Sequence, residues 1–128
     1  MHARLSFEFA TIRVVPRVER GEFINVGVIV FCLGRKMLDC RLHVDDERLQ
    51  ALWPGVELEE IRQHLAAIPA ICAGAEDAGP IARLSERERF LWLVAPRSTV
   101  IQVSPVHSGL CDTPETAITD LFERLVLR

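Results

Sequence analysis

The chain is 128 residues long, 49% hydrophobic and 26% charged, with 15 basic against 18 acidic side chains and a formal net charge of −3. Length and composition are those of one globular domain over residues 1–128, large enough to bury a core without staples, and they exclude a disordered chain. The net acidity excludes the overall basic footprint of a nucleic-acid binder, leaving room only for a local patch, and the longest apolar run, Val26 to Leu33, is too short to span a bilayer.

Phe7 to Val15 is expected to form a first strand, closed by Pro16, and RVERGE then fits a hairpin loop. Phe23 to Leu33 makes a second strand with two apolar faces. Ile24, Val26, Val28 and Val30 fall on one, Phe23, Ile29, Phe31 and Leu33 on the other, so the strand is covered from both sides. After a turn at Gly34–Lys36, MLDCRLHV alternates with Leu38, Cys40, Leu42 and Val44 inward, the period of a half-buried third strand.

The period then changes. Asp45 caps a short helix, DERLQALW, ended by Pro54 and Gly55. Leu58, Ile61, Leu65 and Ile68 recur at helical spacing, and this second helix is expected to end or kink at Pro69. A loop of small residues, 73–80, leads to Ser85 and Glu88, a capping box opening a third helix that Pro96 stops. The RLSERER charge run reads as the exposed start of that helix. Thr99 to Val103 is β-branched and reads as a fourth strand. Thr113 with Pro114 opens a last helix, striped by Ala117, Leu121, Phe122 and Leu125. The order βββαααβα predicts an α+β fold, a sheet of about four strands, antiparallel or mixed, with helices packed on it.

The four cysteines, Cys32, Cys40, Cys72 and Cys111, show neither CxxC nor zinc-finger spacing, and His2, His43, His64 and His107 are scattered. There is no GxSxG, Walker-type loop, HExxH or GxGxxG. No metal, cofactor or catalytic residue is expected, and without an apolar signal segment the setting is expected to be cytoplasmic.

Three places resist a purely structural explanation. Arg13 faces inward with Phe7, Phe9 and Val15, where it needs either an ion-pair partner, for which Glu22 is placed, or a ligand. Asn25 and Gly27 share a face if the strand is regular, as a polar fitting in the core or as a cleft floor. Arg97, Ser98 and Thr99, followed by Ser104, His107 and Ser108, put an arginine and short hydroxyl donors on loops beside a strand. That arrangement suits a small anion, or ordinary turn chemistry.

At these same residues, IRVVPRVERGEFINVGVIVFC and FLWLVAPRSTVIQVSPVHSGL resemble the bacterial family catalogued as domain of unknown function 3037, over nearly the whole chain. Relatives often open the first strand with Tyr, whereas this chain has Phe7 and Phe9 there and no Tyr. The family pattern points to Arg13, Glu22, Asn25, Gly27, Arg97, Ser98, Thr99 and His107. The resemblance also implies, for some members, a partner that is a HipA-like kinase.

Two functional readings follow. The first is a non-enzymatic accessory or protein-interaction module, its contact patch on the last helix, LFERLVLR; the missing catalytic motifs favour it. The second is a small-molecule or nucleotide-phosphate binding protein or enzyme, with a cleft lined by Arg13, Asn25 and Arg97 over the Gly27 strand. They part on whether Arg13 and Arg97 meet in one cleft or lie apart, each paired with a carboxylate.

Overall fold

The computed structural model describes residues 4–97 and 99–128, so His2 and Ser98 lie outside it. The strands are β1 (Leu5–Val14), β2 (Ile24–Cys32), β3 (Met37–Leu42), β4 (Ile101–Val103) and β5 (His107–Cys111). The α-helices are α1 (Asp46–Leu52), α2 (Leu58–Ala73), α3 (Glu86–Leu93) and α4 (Pro114–Leu125). All pairings are antiparallel in the order β3-β2-β1-β4, and β5 also lies along β1. The fold is α+β, and the sequence order is extended by one strand.

That strand, HSGLC, carries no strand signature because β1 supplies its bulk. Gly109 sits opposite Phe7, and a Cβ on it would stand 2.8 Å from the Phe7 ring. Ser104 links β4 to β5 as a bulge: its N–H donates to Thr11 O and its Oγ accepts from Thr11 N–H, both at 2.9 Å. One side chain thus replaces a missing ladder bond, and Pro105, which could donate none, is accommodated beside it.

A second bulge decides where β2 points its side chains. Ile12 pairs with Gly27 but Arg13 pairs with Asn25, so Val26 is the extra residue. The faces expected for a regular strand therefore swap partway. Ile24, Val26, Ile29 and Phe31 join one core with Ile12, Val14 and Leu38, while Val28, Val30 and Cys32 join the other with Phe7. Asn25 and Gly27, expected on one face, are on opposite faces.

The first core is closed by Leu49 of α1, Ile61, Leu65 and Ile71 of α2, and Phe90 and Leu93 of α3. The second is closed by Ile118 and Leu121 of α4. Three helices therefore cover one face and a single helix the other. Ile118, fully buried, leads the α4 stripe, with Ala117, Phe122 and Leu125 at its margins. Most of this apolar side is occupied by the sheet, and of the apolar residues in LFERLVLR only Leu127 (50%) is left exposed.

Two further expectations need correction. α2 runs through Pro69 to Ala73, so of the two outcomes expected there, an end or a kink, the end is excluded. Its last turn buries Ile71 and Cys72, and Arg89 donates from one Nη to both their carbonyls, at 2.8 and 2.7 Å. Arg89 also donates its Nε–H to Leu84 O at 3.0 Å, so the last residue of the charge run is buried as a clamp, while Arg83, Arg87 and Glu88 are exposed as expected. Ser85 and Glu88 do form the capping box. Among the described residues no helix is long and apolar enough to cross a membrane.

Candidate functional site

β1 carries Arg13 between Ile12 and Val14, whose side chains are fully buried on the three-helix face. Alternation therefore turns Arg13 to the α4 face. Its register partners are Asn25 on β2 and Gln102 on β4, so Asn25, Arg13 and Gln102 form a row across three strands. α4 ends at this row: Asn25 Nδ2 donates to Leu125 O at 3.1 Å.

The Arg13 guanidinium lies 3.9 Å from the centroid of the Phe23 ring, stacked over its face. Its Nε is buried and meets no acceptor among the described residues, and Asn25 Oδ1 is likewise buried without a donor. Burial pushes the Arg13 pKa down, with no nearby carboxylate holding it up. Across from it stands Arg97, which donates to Leu93 O and Trp92 O, each at 3.0 Å, and lies 4.7 Å over the Trp92 ring. These bonds cap the end of α3 and fix the guanidinium in place.

Arg13 and Arg97 face a common cleft of about 300 Å³, completed by Val15, Val18, Gly21, Phe23 and Gln102. Gln102 is held by a 2.8 Å bond from its Nε2 to Thr99 O. Two cations thus stand over an apolar floor, and among the described residues neither is paired with a carboxylate.

The residues expected at a site divide as follows. Arg13 and Arg97 line the cleft, while Asn25, the register partner of Arg13 on β2, does not line it. Glu22 does not reach Arg13; it forms an exposed ion pair with Arg20. Gly27 is a packing fitting on the other face, where a Cβ would stand 2.5 Å from Leu42 Cδ2 and 2.7 Å from Arg41 O. Thr99 donates its hydroxyl to Ile101 O at 2.8 Å and lines a neighbouring cleft of about 150 Å³ between α2, α3 and β4. His107 lies on β5 opposite Phe9, four residues along β1 from Arg13 and hence roughly 13 Å away. Ser98 is outside the described residues.

Phe23 and Gln102 were missed by the sequence reading. Their signals were present: Phe23 lies two before Asn25, and Gln102 interrupts an otherwise apolar β-branched run. Among the described residues no group of three His, Cys, Asp or Glu side chains could hold a metal ion.

By class this is an α+β protein in which one open end of an antiparallel sheet carries an arginine-lined cleft. A family model described as protein of unknown function (DUF3037) matches residues 9–126, and the chain belongs to that family, as the resemblance implied. No curated protein and no solved structure matches it.

Proposed function

We propose that the protein binds a small organic oxyanion, a carboxylate or a phosphate ester, in the cleft between Arg13 and Arg97. One observation carries this reading: the guanidinium of Arg13 is partly desolvated yet has no carboxylate, and its buried Nε–H has no acceptor among the described residues. A buried donor left unmade costs about 1–3 kcal/mol, which a bound oxygen would recover. The planar fork of arginine suits the two oxygens of a carboxylate or phosphate. The volume of about 300 Å³ is at the small end of ligand pockets and fits a metabolite-sized molecule. Among the described residues the lining holds no carboxylate, thiol or imidazole, so the role proposed is binding.

A second reading is the accessory module. Val18 (43% exposed), Phe23 (45%), Trp92 (42%) and Val100 (38%) present apolar surface on the hairpin, α3 and the loop before β4. This surface supports docking of a protein partner in the cytoplasm, and the HipA-like kinase implied by the resemblance is a candidate. Calorimetric titration separates the two. Phenyl phosphate and benzoate are expected to bind the wild type and to lose about tenfold in affinity in Arg13→Ala, about 1.4 kcal/mol. Absence of binding by either anion would remove the first reading and leave the second.

A further inference from the structure

The four cysteines are all free thiols, and the sheet divides them. Cys40 of β3 and Cys72 of the last turn of α2 pack in the core under the three helices, whereas Cys32 and Cys111 lie in the core under α4. Although 32 positions apart in sequence (72 minus 40), Cys40 and Cys72 meet side chain to side chain in a hydrogen bond. The backbone holds each in place. Cys40 pairs with Ile29 of β2, and its N–H donates to Asp39 Oδ1 at 2.8 Å. The carbonyl of Cys72 accepts from Arg89 at 2.7 Å.

The two thiols are not equivalent. Cys40 is half-buried, while Cys72 is only 7% exposed. The hydrogen bond between them pulls the Cys40 pKa down and pushes that of Cys72 up, and burial adds to the rise at Cys72. Cys40 is thus the sulfur that carries the thiolate, the nucleophilic form, and Cys72 keeps its proton. The other pair lacks this polarity: burial pushes the Cys111 pKa up, and Cys32 is fully buried.

We propose that Cys40 and Cys72 are a redox site, an attacking and a resolving cysteine that a peroxide closes to a disulfide joining β3 to the end of α2. The Cys40 thiolate attacks one peroxide oxygen, breaking the O–O bond, and becomes a sulfenic acid as hydroxide leaves. The Cys72 sulfur then attacks Cys40 Sγ: the S–S bond forms, the S–O bond breaks, and the oxygen departs with the Cys72 proton as water. Two electrons pass from the two sulfurs to the peroxide, which is the only co-reactant. A dithiol reverses the step by exchange. The bridge closes a loop containing α1 and nearly all of α2.

The test treats the reduced, folded wild-type protein with hydrogen peroxide and digests it with trypsin without reduction. The peptides 37–41 and 63–83, which carry Cys40 and Cys72, are expected to be recovered as one linked species about 2 Da lighter than their sum, and to separate on adding a dithiol. Cys72→Ser is expected to stop the reaction at the Cys40 sulfenic acid, trapped by dimedone. Should that variant fail to fold, the wild type still reads the order of attack. Iodoacetamide added to the folded protein is expected to label Cys40 roughly tenfold faster than Cys111, the other half-buried thiol. A link between any other cysteines, oxidation of Cys40 to sulfinic acid with no link, or no oxidation until the protein is denatured would overturn the proposal. Faster labelling of Cys111 would overturn the role given to Cys40.

Discussion

Arg13 stands between two fully buried residues, yet its own donors reach no acceptor among the described residues. Its one partner among the described residues is the face of Phe23, a contact worth about 0.5–1 kcal/mol at an exposed site. Arg13→Lys keeps the charge but loses the fork, and is expected to weaken phenyl phosphate binding about tenfold while thermal stability stays within roughly 0.5 kcal/mol. A parallel fall in stability and binding would mean that Arg13 holds the fold together instead. Gly27 is the opposite case. Gly27→Ala forces a methyl against Arg41 O, a backbone atom that cannot move aside, and is expected to destabilise by about 1–3 kcal/mol in urea denaturation. The sequence marked both residues as unusual and could not tell them apart. The bulge at Val26 separates them, and a bulge is a matter of strand register, which residue type alone does not specify.

At the scale of elements, the first three strands and all four α-helices were legible from period and caps, because burial on one side imposes a repeat that residue chemistry records. β5 was not legible, since the Phe7 ring fills the place of its side chain at Gly109. Its junction with β4 depends on Ser104, whose Oγ serves a buried Thr11 N–H. Ser104→Ala is expected to cost about 1–3 kcal/mol, read as a lower urea midpoint at unchanged slope. The continuation of α2 past Pro69 depends likewise on a distant residue. Arg89 reaches two carbonyls of the last turn, and no pattern within α2 foretells that clamp. Arg89→Met fills similar volume without the donors, and is expected to destabilise by about 2–4 kcal/mol, with amide exchange rising first at residues 70–73. Uniform exchange across the helix would contradict this account of the clamp.

Across the molecule, the sheet is covered unequally, by three helices on one face and by α4 alone on the other. A single helix cannot cover that face to its end, and α4 stops where Asn25 takes hold of Leu125. The uncovered end is where the β1–β2 hairpin and the loop before β4 bring Arg13 and Arg97 to one cleft. The pair lies 84 residues apart in sequence (97 minus 13), and only the pairing of β4 with β1 joins them. That is why the separate candidates were visible beforehand and their convergence was not. Glu22 and His107 stood beside the same motifs, but the hairpin tip gives Glu22 to Arg20 and the β5 register carries His107 away.

The most direct measurement is a titration of the labelled protein with phenyl phosphate, followed through the side-chain Nε–H resonances of its arginines. The Arg13 and Arg97 signals are expected to move together along one saturating curve, while Arg17, Arg20 and Arg62, each paired with a carboxylate, stay in place. Small shifts spread over all the arginines, scaling with ionic strength and never saturating, would contradict a site between Arg13 and Arg97.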